Sequence, residues 1–115
     1  MSEFPRPLTA LERAVLDLLL SEPFPGRDEL RDQAADVKVN GGCDCGCATV
    51  DLLVSGDSIP PAPVLRRVPV EATTTAGPAA DVLLHVVNGR LNELEVFRHD
   101  GEPAALPDSG ILKLR

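Results

Sequence analysis

The 115 residues, 12.2 kDa in all, are 43% hydrophobic and 25% charged. That is the composition of one globular domain, and it excludes a disordered chain, a coiled coil and a collagen-like fibre. Eighteen acidic residues against 11 basic give a net charge of −7, and the only adjacent basic pair is Arg66-Arg67, so there is no clustered basic face for nucleic acid or for an anionic membrane.

The first element is announced by Thr9-Ala10-Leu11-Glu12, a capping box in which the Thr hydroxyl and the Glu carboxylate exchange hydrogen bonds with each other's amides. Leu11, Val15, Leu18 and Leu19 then share one helical face, widened by Leu16 and Leu20, which predicts a helix over about 10–21. Pro23-Phe24-Pro25-Gly26 breaks it. A second, short helix over about 27–35 turns Leu30 and Ala34 inward and leaves its charged residues as a solvated face.

From residue 36 the period becomes two. Val37 and Val39 alternate with Lys38 and Asn40 in a strand over about 36–40, and Gly41-Gly42 is expected to turn the chain. Further strands are expected over about 48–54 and 64–74, the latter at a sheet edge because Pro69 cannot donate to a ladder. An exposed edge there would leave the chain either a monomer or a homodimer formed by strand addition. The strongest hairpin signal is Asn88-Gly89, which joins strands over about 81–88 and 90–98. On the returning strand Leu94 and Val96 share one face and Glu93, Glu95 and Phe97 the other. The tail over 102–115 ends in Ile111, Leu112 and Leu114, suited to docking as a short strand or an apolar clasp. Helices come first and strands follow. The expected fold is therefore a single α+β domain, residues 1–115, with an N-terminal helical hairpin packed on an antiparallel sheet of four to five strands.

Three cysteines, Cys43, Cys45 and Cys47, lie within five residues. On an extended strand their thiols would share a face about 6.6 Å apart. One zinc ion, with zinc–sulfur bonds of about 2.3 Å, could not then take neighbouring thiols. Chelation needs the segment to curl, which Gly41, Gly42 and Gly46 make cheap. A fourth ligand would come from His99 or His85. Four readings stand: thiols packed against the sheet, a zinc site, a redox pair or trio, and a nucleophile working with one of the histidines. The first is the ordinary one, so no cofactor is expected unless that cluster takes zinc. Glu93 and Glu95 share a strand face and, with Asp81, would make an acidic patch. With no phosphate loop, dinucleotide motif or paired zincin histidines, no enzyme is expected.

No apolar run approaches the roughly 20 residues of a membrane span, the N-terminus lacks a signal-peptide pattern, and clustered cysteines suit a reducing compartment. The expected location is the cytoplasm. The segments Phe24-Pro25-Gly26-Arg27-Asp28-Glu29-Leu30, Gly42-Cys43-Asp44-Cys45-Gly46-Cys47-Ala48-Thr49, Val68-Pro69-Val70-Glu71-Ala72 and Gly89-Arg90-Leu91-Asn92-Glu93-Leu94-Glu95 run together over nearly the whole chain. In them the chain resembles a group of small actinobacterial proteins, and the pattern of its fifth expected strand, over about 90–98, is loosely similar to pieces of toxin-immunity proteins. The group often has Pro after the third Cys, where this chain has Ala48. The resemblance implies no chemistry for any residue. The functional expectation is a protein-binding module for a basic partner, or else a metal- or redox-responsive module built on the cysteines.

Overall fold

The computed structural model describes residues 3–42, 46–55 and 59–115. The capping box forms as the sequence dictates. The Glu12 amide donates to Thr9 Oγ1 at 3.1 Å and the Thr9 amide to Glu12 Oε1 at 2.9 Å, and helix α1 (Ala10–Leu19) starts from it. Helix α2 (Arg27–Ala34) buries Leu30 and Ala34, as the i, i+4 spacing requires.

Seven strands follow in chain order: β1 (Arg6–Pro7), β2 (Lys38–Gly42), β3 (Val50–Leu53), β4 (Val70–Thr74), β5 (Ala80–Val87), β6 (Arg90–Arg98) and β7 (Leu112–Leu114). They form one sheet in the order β1-β2-β3-β6-β5-β4-β7, antiparallel at every pairing. This corrects the expected four to five strands. The two extra strands are the edges. β1 was hidden by Pro7, which reads as a strand breaker but is tolerated where no ladder bond is needed. β7 comes from the tail, after a single 3-10 turn at Ser109–Ile111 capped by Asp108.

The expected helical hairpin is also corrected. α1 makes its main contacts with β4 and the 3-10 turn, and α2 with β6, while the two helices are joined by hydrogen bonds from Arg13 to the Ala34 carbonyl and from Arg27 to the Leu20 carbonyl. The 64–74 segment is no edge either: strand pairing begins at Val70, after Pro69, and β7 covers its outer side. Gly41-Gly42 continues β2 instead of turning, with a bulge between Val39 and Gly41.

The core lies between the helices and one face of the sheet. It gathers Val15, Leu16, Leu19, Leu30, Val39, Leu84, Leu94 and Val96, each at most 2% exposed. Burying each such side chain is worth about 1.5–3 kcal/mol. α1 is rotated from its expected face. Glu12 is buried and Leu11 is 38% exposed, because both terminal nitrogens of the Arg6 guanidinium donate to the Glu12 carboxylate at 2.9 Å. Those bonds outweigh the burial and hold the Glu12 carboxyl below its ordinary value; the same contact raises Arg6.

The β5–β6 turn is the most tied point of the molecule. Asn88 (φ 54°) and Gly89 (φ 75°) are both left-handed, as a two-residue hairpin of this type demands. Fully buried Gln33 donates to the Gly89 carbonyl at 2.8 Å and accepts from the Leu91 amide at 3.0 Å. The Ala62 amide donates to the same Gly89 carbonyl at 2.7 Å. A Cβ at position 89 would sit 2.6 Å from the Ala62 carbonyl oxygen, so only glycine fits.

Candidate functional site

The helices cover one face of the sheet. The other face carries the alternate residues of the same strands, mostly polar: Asp51 on β3, Asp81 and His85 on β5, and Glu93, Glu95 and Phe97 on β6. Its centre is His85. The Nε2 atom lies 2.7 Å from Glu95 Oε1 and 3.6 Å from Glu93 Oε1. On the ring's other side Arg67 Nε approaches Nδ1 at 3.1 Å. The three candidate ligand atoms of His85, Glu93 and Glu95 all lie within 4.8 Å of one another.

Arg67 settles where the imidazole proton is. A guanidinium N–H can only donate, so Nδ1 accepts and the ring proton sits on Nε2, directed at Glu95. His85 therefore has no acceptor left with which to take a proton from a thiol.

A β-bulge puts Glu93 in this cluster. Counting back from the turn, Val87 pairs with Arg90 and Val86 with Leu91, and unbroken pairing would set Asn92 opposite His85. The register shifts after Val86, and Glu93 stands there instead. The same shift lets Leu91 and Leu94, three residues apart, both face the core. That three-residue spacing of buried leucines within an otherwise alternating strand is the signal that sequence reading missed.

Beside the cluster β3 parts from β6. Their register holds at Val50 with Leu94 and at Asp51 with Glu93. Beyond it the Thr49 hydroxyl spans the gap, accepting from the Val96 amide at 2.9 Å and donating to its carbonyl at 3.2 Å. The split opens into a cleft of about 450 Å³ lined by Cys47, Thr49, Glu93, Glu95, Phe97 and Glu102, among others.

The expected site residues are thus redistributed. Cys43 and Cys45 lie outside the described residues. Cys47 is half-buried on the cleft wall, just after Gly46, whose φ of 89° does curl the chain. Cys47 is not a member of the His85 cluster. His99 is turned to Asp81, with Nε2 at 3.1 Å from Oδ2, and Arg115 donates to the same oxygen at 3.1 Å. Asp81 lies on the Glu93 and Glu95 face but is only 7% exposed. Burial alone would raise its carboxyl. Hydrogen bonding from Thr73 and His99 and the charges of His99 and Arg115 together outweigh that, and the group sits below the ordinary carboxylate value. Asp81 Oδ1 is buried without a hydrogen-bond partner among the described residues.

Among the described residues no helix is long and apolar enough to cross a membrane. Compared with known proteins, the chain matches no family, no curated protein and no solved structure.

Proposed function

We propose that the protein is a non-enzymatic binding module that receives a basic protein surface on the sheet face away from its helices. One observation carries this reading. Asp51 and Glu93 stand opposite each other on neighbouring strands, and Glu95 follows on the same face. Like charges directly opposite across strands are destabilising, and a basic partner would relieve them. Leu53 and Phe97, 36% and 41% exposed on that face, add apolar contact beside the carboxylates. The net charge of −7 would draw such a partner from a distance and make the encounter sensitive to salt.

Photocrosslinking in the cells that make the protein tests this. A photoreactive residue replacing Phe97 is expected to capture a basic protein, and the capture is expected to vanish when Glu93→Lys and Glu95→Lys are added. The same residue replacing Asp28, on the outer face of α2, is expected to capture nothing. Equal capture from both positions, or capture indifferent to the two lysines, would refute the reading.

A further inference from the structure

We infer that His85, Glu93 and Glu95 form a site for a divalent transition-metal ion, zinc by preference, which Arg67 holds in a low-affinity state. One imidazole nitrogen and two carboxylate oxygens are the donor types such ions take, at about 2.0–2.2 Å from the metal. Tetrahedral ligands at that range stand roughly 3.3 Å from each other. The observed 2.7 Å and 3.6 Å from Nε2 to the two carboxylates bracket that separation. All three ligand atoms lie within 4.8 Å of one another.

The bulge is an independent observation. In unbroken register residue 92, an asparagine, would face His85, and Glu93 and Glu95 would both turn to the opposite face of the sheet. The shift brings both carboxylates to the histidine, more than a neutral imidazole with one remaining N–H can engage. The ligands stand on β5 and β6, whose pairing runs unbroken on both sides of the bulge, so they are held on a rigid base. The split between β3 and β6 lets water reach the remaining coordination position from the cleft that Glu93 and Glu95 line.

Arg67 opposes the ion in two ways. A metal on Nε2 needs the ring proton on Nδ1, where it would meet the Arg67 N–H, donor against donor. Metal-binding histidines normally give that proton to an acceptor. The guanidinium also places a positive charge beside the incoming cation. Arg67 is exposed, and its backbone stays fixed through the carbonyl that accepts from the Val86 amide at 2.7 Å. The side chain can therefore swing out while its backbone stays in place. One N–H bond is exchanged for another: the ring gives its Nε2 proton to water and takes one from water at Nδ1, and the ion takes the vacated nitrogen.

The test is calorimetric titration with Zn²⁺ of chelator-stripped protein carrying Cys43→Ser, Cys45→Ser and Cys47→Ser, so that thiols take no part. One ion per chain is expected. Binding should be lost with His85→Ala and weakened at least about tenfold with Glu95→Gln, at unchanged circular dichroism. Arg67→Gln, whose carbonyl can accept from Nδ1–H, should tighten it by about tenfold or more. Should the serine variant not fold, the ¹⁵N resonances of His85 in the unaltered chain give the second readout: the Nε2–H tautomer without metal, and Nδ1–H with it. Binding indifferent to His85→Ala, no binding even in Arg67→Gln, or a His85 tautomer unchanged by zinc would each overturn the inference.

Discussion

The two faces of the β5–β6 hairpin are made by one stretch of chain, Ala80 to Arg98, and behave as different materials. Toward the helices stand Val82, Leu84, Leu91, Leu94 and Val96, none more than 2% exposed. Away from them stand His85, Glu93, Glu95 and Phe97, partly exposed and mostly polar. The inner face stabilises through apolar area and tight packing. The outer face keeps like charges opposed and contributes little to folding. A chain this small can hold such a face only because the other carries the fold.

The largest effect expected from breaking that contrast is at Leu94. Leu94→Ala should cost about 2–5 kcal/mol, since it opens a cavity at a fully buried position. Phe97→Ala, on the opposite face, should change stability by only about 0.5 kcal/mol. Urea unfolding of both variants decides it: equal losses would mean that the outer face is packed against something. Next comes Gln33, the one polar side chain that reaches through the core side to the turn. Gln33→Ala should cost about 1–3 kcal/mol, because the buried Leu91 amide loses its acceptor. Hydrogen exchange at Leu91 should quicken in step, and unchanged protection there would contradict this account of the turn.

The smallest effect is electrostatic. Glu12→Gln keeps a side chain that can close the capping box, so it isolates the charge facing Arg6. The loss at neutral pH should be about 1 kcal/mol. The folded-state carboxyl is depressed below 4.5, so its stabilisation is present above that value and fades as pH falls through the depressed one. Urea midpoints measured from neutral pH downward should therefore fall less steeply in the variant. Asp81 contributes in the same direction, so the slope should shrink without vanishing.

What could be read from the residues was whatever a short window decides. Thr9 and Glu12 are three apart, Asn88 and Gly89 adjacent, and Glu93, Glu95 and Phe97 alternate; cap, turn and outward face all follow. What escaped depends on distant partners. Gln33 sits among charged residues in a helix that reads as solvated, and its role exists only because Gly89 and Leu91 arrive 56 and 58 residues later. Arg67 is an ordinary basic residue until β5 brings His85 beside it. The cysteine cluster drew notice by composition, whereas the best-formed ligand cluster among the described residues is assembled by a bulge. The two edge strands are two and three residues long, too short for any periodicity to show.

Those short edges decide how the protein would fail at high concentration. β7 covers β4 with three register pairs, and β1 covers β2 with two. Each can fray by a local opening far smaller than unfolding. What fraying uncovers is a longer strand with a free row of amides and carbonyls, the template on which a second copy can add. Self-association would then follow the population of this frayed state and leave the core intact. It would rise with protein concentration at temperatures where the melting curve is still flat.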